Sequence, residues 1–225
     1  TGIHSLGPDA EAASPHKGAN YWKASELPIH LELYEAGGRL GLEMELGLRI
    51  FGAYSRAMPK KSFRIIAREE YGDNTIDYPL LVDKPHTEFD SFVLRTSGQD
   101  AVSTRFRDVF LTQLIRESQV DYQGYRTVVL YINGQYWGIY NIREKINPEM
   151  MVRAHGGDED KISILRANGF ADHGTARSYL QLIDYVERHD LSQDAHYAHI
   201  QTLMDVENFA EYWIFQMFIS NADNG

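Results

Sequence analysis

The chain contains no cysteine. That single absence excludes structural disulfides, thiolate metal sites and cysteine nucleophiles. It leaves the compartment open, because exported bacterial proteins also manage without disulfides. Long hydrophobic runs are missing too: no stretch of about 18 apolar residues occurs, so the sequence predicts no membrane span. Positive charge is scarce, with 22 Lys and Arg against 32 Asp and Glu and a formal net charge of −10. This balance argues against a general nucleic-acid binder, which needs a concentrated basic surface. Internal repeats and low-complexity tracts are also lacking. The opening TGIHSLGPDA has neither an initiator Met nor a charged-then-apolar leader, and it reads as cut from a longer protein.

What is present is enough apolar material for a core: 225 residues, 43% of them hydrophobic. That length suits one large domain or two small lobes. Residues 1–28 read as an irregular lead-in. Ile29–Tyr34 reads as a strand, followed by a turn at Ala36-Gly37-Gly38. From Leu40 to Ile50 apolar residues alternate with polar ones and glycine, the period-two mark of a half-buried strand, and the glycines predict a bend or bulge within it. Lys61–Ala67 and Ser91–Arg95 supply further strands, with a long loop over Tyr71–Glu88. Thr127–Ile132 and Gln135–Ile142 flank Asn133-Gly134, the dipeptide best suited to a two-residue hairpin turn. Both strands are apolar on both faces, which predicts a central place in the sheet.

Helical periodicity begins at Arg105–Glu117, with Thr104 as the expected cap and Phe106, Val109, Phe110 and Leu114 on one face. It returns after Asn147. Tyr179, Leu182, Ile183 and Val186 form one stripe, and Tyr197, Ile200 and Met204 another. The last helix, Val206–Ser220 capped by Asp205, is apolar nearly all round and is therefore expected to be buried. The chain reads as α+β, with a sheet-rich lobe over 29–145 and a helical lobe over 146–225.

Lys61 stands out within this pattern. Counting by twos, Lys61 shares a strand face with Phe63 and Ile65, while Lys60, Ser62 and Arg64 share the other. An ammonium on an apolar face must find an anion or be pushed toward neutrality. The alternative is that Lys60 and Lys61 are solvated at the end of a loop. At the other end of the chain, Asp223 follows the most apolar helix, where a carboxylate can bind a metal or take a proton. Asn and Gly there also read simply as helix-stop residues.

Several segments resemble the spore-coat protein H (CotH) kinase family, an atypical branch of the protein-kinase fold. They are GLRIFGAYSRAMPKKSF, REEYG, YPLL, FVLRTSGQD with RFRDVF after it, YRTVVLYINGQYWGIYNIREKIN and FQMFISNADNG. TGIHSLG and ANYWKASELPIHLELYEAGG are similar to the lead-in of secreted, multidomain members. The G-x-G-x-x-G, V-A-I-K and H-R-D signatures of ordinary kinases are absent.

The resemblance implies ATP-dependent phosphoryl transfer, with Mg or Mn, to Ser or Thr hydroxyls of exported or cell-surface bacterial proteins. Position by position, it implies that the Gly52–Arg56 turn covers the phosphates, with Ser55, Arg56 and backbone amides in contact, and that Lys61 holds the α/β-phosphates. Asp108 is the candidate carboxylate partner of that lysine, or an acidic residue favourable to its helix dipole. Glu144 falls at a hinge or nucleotide-facing position, or in a surface salt bridge with Arg143 or Lys145. Asp223 is the implied catalytic base and Asn221 its orienting neighbour. The family's metal-binding Asn and second Asp have no counterpart before Gly225, so the metal ligands are unassigned and the catalytic unit reads as incomplete at its C-terminal end.

A catalytically silent CotH-like binding or structural module is the alternative function, and a carbohydrate-binding domain a third. Weaker features have plainer readings. His196 and His199 lie one helical turn apart without a completing carboxylate and read as a surface pair. Asp158-Glu159-Asp160 reads as a solvated acidic turn, and Trp22, Tyr136, Trp137 and Trp213 as core aromatics.

Overall fold

The computed structural model describes residues 2–166 and 169–221. By packing, the chain divides into two units, Thr1–Val109 with Gln123–Lys145, and Phe110–Tyr122 with Ile146–Gly225. The first unit is built on alternation. Its strands are β1 (Leu27–Tyr34), β2 (Leu40–Phe51), β3 (Ser62–Ile66), β4 (Ile76–Asp77), β5 (Glu88–Phe89) and β6 (Ser91–Arg95). After helix α1 (Arg107–Leu114) come β7 (Tyr125–Ile132) and β8 (Gln135–Glu144). Six of them form one sheet in the order β1-β2-β3-β6-β8-β7, with every neighbouring pair antiparallel. Leu46, Phe63, Ile65, Phe92, Tyr140 and Ile142 lie in the core beneath it, each no more than 2% exposed. Burying such side chains contributes about 1.5–3 kcal/mol apiece, which is why the alternation fixes the register.

Four expectations need correction in this unit. β2 runs unbroken for 12 residues, and the irregularity of the β1/β2 ladder sits at Leu33/Tyr34. The long loop contains a short ladder, with Ile76 opposite Phe89. The Asn133-Gly134 hairpin is present and β8 is central as expected, between β6 and β7, but β7 is an edge strand. Apolar composition on both faces did not place it inside: Val129 and Tyr131 remain 55% and 60% exposed. Helix α1 is shorter than its periodic pattern, and of its expected stripe only Val109 is buried.

Asp100, rather than Thr104, organises the start of α1. Its carboxylate accepts hydrogen bonds from the Phe106 and Arg107 amides at 2.8 and 2.9 Å and from the Thr104 hydroxyl at 2.6 Å, and also from Ser103. These donors, led by the Ser103 and Thr104 hydroxyls, hold its pKa far below the usual carboxylate value. The sequence signal fails because this carboxylate arrives from seven residues upstream of Arg107, outside the local spacing of a helix cap.

The second unit contains α2 (Pro148–His155), the hairpin β9 (Ile164–Arg166) and β10 (Phe170–His173), α3 (Arg177–Arg188), α4 (Asp194–Leu203) and α5 (Val206–Phe218). Asn147 caps α2 by accepting the Met150 amide, and Asp205 caps α5 through the Asn208 amide, both at 2.9 Å. Helix α5 departs from expectation: none of its residues is buried, and Ile214, Met217 and Phe218 are 62–75% exposed. An all-round apolar helix is buried only when partners surround it, and among the described residues they do not. Tyr136 and Trp213, at 61% and 39% exposed, are likewise not core residues.

Candidate functional site

In the first unit, the segment between β2 and β3 folds into a tight 3-10 turn over Tyr54–Ala57. Gly52 opens it with φ +113°, a conformation in which a side chain is strained, and a Cβ there would lie 2.2 Å from Ser55 Oγ. Only glycine fits both requirements. Arg56 then folds back, its Nε donating to the Gly52 carbonyl at 2.5 Å and a second guanidinium nitrogen to the Tyr21 carbonyl at 3.4 Å.

Lys61 follows immediately before β3 and is only 2% exposed. Its ammonium donates to the carbonyls of Arg56 at 2.7 Å and Met58 at 3.1 Å and lies 4.1 Å from the ring centre of Tyr21. Two carbonyls and an aromatic face therefore take the place of the anion that the strand pattern called for. Burial pushes the pKa of Lys61 below the usual lysine value and lowers that of Arg56 as well. Among the described residues, no carboxylate lies within 4.0 Å of either charge, whereas Arg49, Arg64 and Arg68 nearby are each paired.

Lys60 extends this cationic region from the opposite strand face. It donates to the Ile139 carbonyl at 3.2 Å and sits 4.7 Å from the ring centre of Tyr140. Its pKa is lowered by burial and then by the charge of Arg105. Lys60 crosses Gly138, where φ is +117° and a Cβ would lie 2.2 Å from its Nζ. Tyr140 in turn donates its hydroxyl to the Lys61 carbonyl at 2.9 Å, and burial pushes its phenol pKa well up.

Asp108 stands in the first turn of α1 and does not pair with Lys61. Its Oδ2 accepts from Arg143 at 2.7 Å and lies 2.9 Å from Arg95 Nε. Glu144, read from sequence as hinge-facing or as part of a surface salt bridge, is 3% exposed. Its carboxylate accepts the Gly124 amide at 2.7 Å and lies 3.1 Å from His86 Nε2. Its burial, together with that of Arg143, rules out the solvated surface position expected for it, although the charges of the two residues do interact.

Asn221, in the second unit, bonds Gln216 through both its amide, at 3.1 Å to the carbonyl, and its side chain, at 2.7 Å. Asp223 lies outside the described residues. The structure thus brings together Gly52, Ser55, Arg56 and Lys61, sets Asp108 against Arg143 and Arg95, and sets Glu144 against Gly124 and His86. His196, on α4, packs against His189 at 4.8 Å, while His199 packs against Tyr185 at 4.4 Å. Asp158 caps its own turn through the Asp160 amide.

Sequence reasoning missed Tyr21, Arg105, Gly138 and Tyr140 as parts of this region. Tyr21 sits in a lead-in that looked irregular, yet it is 3% exposed and anchored by its hydroxyl to the Pro15 carbonyl at 3.2 Å. The glycine after Tyr136-Trp137 was the available signal for Gly138, since an isolated glycine inside a strand marks a close approach.

An antiparallel sheet followed by a helical unit, with a glycine-opened turn beside a buried lysine, defines an α+β protein. The model of the CotH family, described as CotH kinase protein, matches residues 48–225, and the chain belongs to that family. The match includes the turn, Lys60, Lys61 and the β7/β8 hairpin. No curated protein matches the chain. Among the described residues, no helix is long and apolar enough to cross a membrane.

Proposed function

We propose that this chain is an atypical protein-kinase-like phosphotransferase that uses ATP with Mg2+ or Mn2+ to phosphorylate Ser or Thr hydroxyls of exported or cell-surface proteins. The observation that carries the reading is the pair Arg56 and Lys61: two desolvated cations in one turn with, among the described residues, no carboxylate within 4.0 Å, in a chain of net charge −10. Burying unneutralised cations is costly, and a polyphosphate supplies the missing charge.

In this reading the donor set fits a nucleotide. Lys61 and Arg56 hold phosphate oxygens, and the carbonyl tethers from Arg56 and Met58 keep the ammonium in place before the ligand arrives. Gly52 and Ser55 let the turn's backbone approach the phosphates. Asp108 stabilises the sheet end of α1 through Arg143, and Glu144 supports the strand end through Gly124. In the role that the family resemblance gives it, Asp223 accepts the proton of the acceptor hydroxyl, with Asn221 two residues before it in the sequence. A bound divalent metal supplies charge neutralisation on the phosphate oxygens.

The test is transfer of label from γ-labelled ATP to Ser/Thr-containing protein in the presence of Mg2+ or Mn2+. Label incorporation by the wild type, lost in Lys61→Met and in Asp223→Ala, is the expected result. ATP binding without any transfer would replace this reading by the silent binding module, with Lys61 serving to tether the turn.

A further inference from the structure

The outer face of the β1/β2 ladder carries a second cluster, ahead of residue 48 where the family match begins. Antiparallel register sets His30 opposite Glu45 and Glu32 opposite Glu43, and strand alternation puts all four on one face. Glu32 and Glu43 are like charges directly across a ladder, an arrangement that destabilises a hairpin. No Lys or Arg relieves it: among the described residues, the ion-pair partner of Glu32, Glu43 and Glu45 is His30.

The imidazole is oriented for more than a surface ion pair. Its Nδ1 lies 2.7 Å from Glu45 Oε1 and, facing an ionised carboxylate, is the donor. In the neutral ring this leaves the Nε2 lone pair toward Glu43 Oε1 at 3.4 Å and Glu32 Oε1 at 3.8 Å. A carboxylate behind a histidine, fixing its tautomer while the far nitrogen meets other donors, is how metal-ligating histidines are held. The donor atoms of His30, Glu32 and Glu43 lie within 4.8 Å of one another. Three carboxylates alone would be a solvated acidic face. The imidazole adds a borderline-soft ligand and a choice among metals.

We propose that His30 Nε2, Glu32 and Glu43 bind a first-row divalent transition metal of the Zn2+ class, with Glu45 as the positioning residue behind the histidine. One nitrogen and two carboxylates leave at least one coordination position for water. This site is independent of the phosphotransferase reading.

Calorimetric titration of the intact chain with ZnCl2, and separately with MgCl2, tests it. One Zn2+ equivalent should be lost in His30→Ala and in Glu43→Gln, with Mg2+ unable to replace it. Glu45→Gln should weaken Zn2+ binding roughly 10- to 100-fold. His196→Ala controls for the other histidines and should retain the equivalent. All four side chains are exposed, so circular dichroism should report an unchanged fold. Zn2+ stoichiometry and affinity unchanged by His30→Ala, or equal binding of Mg2+, would overturn the proposal.

Discussion

Asp108 and Arg143 are joined at 2.7 Å, tying the first turn of α1 to β8. Arg143 is only 2% exposed, whereas Asp108 keeps 29% of its side chain accessible and is shared with Arg95 at 2.9 Å. Lys61, the residue for which Asp108 was the expected partner, has two carbonyls and a tyrosine ring instead.

Removing the carboxylate should therefore be a stability event at Arg143. Asp108→Ala is expected to cost roughly 2–4 kcal/mol in urea unfolding, the upper part of the buried-pair range being discounted for the exposure of Asp108. A double-mutant cycle with Arg143→Met should show coupling, and one with Lys61→Met additivity. Coupling between Asp108 and Lys61 would restore the lysine-partner reading.

Gly138 should be equally intolerant, for a backbone reason. Gly138→Ala places a Cβ at φ +117° and 2.2 Å from Lys60 Nζ. The expected cost is roughly 1–3 kcal/mol, most of it dihedral strain. Trimming the lysine in a Lys60→Ala background should recover only the steric part. An unchanged unfolding midpoint in Gly138→Ala would count against the strained strand.

Acid should loosen the connection between β2 and the Arg68 turn. Glu26 accepts Arg68 Nε at 2.7 Å and the Tyr71 hydroxyl at 3.1 Å, with Arg49 Nε at 2.5 Å. Arg68 foremost, with Tyr71 and Arg49, brings its pKa down from 4.5 to about 2. A depressed carboxylate contributes stability that is present above the unfolded value and lost as pH falls through the folded one. Wild-type stability should drop between pH 4.5 and about pH 2. Glu26→Gln should remove that step and cost roughly 1–3 kcal/mol at pH 7. An equal acid slope in both proteins would contradict the assignment.

How much of this was legible in the sequence differs by residue. The strands of the six-stranded sheet were, because burial enforces period two: Ser91–Arg95 and the Asn133-Gly134 turn came out residue by residue, whereas the two-residue strands β4 and β5 are too short to show a period. The edge position of β7 was not, because strand order is set by pairings with residues far along the chain. The start of helix α1 was misjudged, since its organising carboxylate is the distant Asp100. At the site, the placement of Lys61 on the apolar face was readable by counting in twos. Its carbonyl partners were not, because a 3-10 turn over Tyr54–Ala57 leaves no periodic trace. Tyr21 was hidden for a related reason: an irregular lead-in gives no sign of what it covers.

The central claim is that Lys61 and Arg56 form a phosphate-binding turn, and thermal unfolding with ATP tests it most directly. ATP at about 100 times its Kd should add about 2.7 kcal/mol to the wild-type chain in the presence of Mg2+ or Mn2+. In Lys61→Met that increment should vanish while the nucleotide-free protein still unfolds cooperatively. Equal stabilisation of wild type and variant, or none in either, would contradict the account.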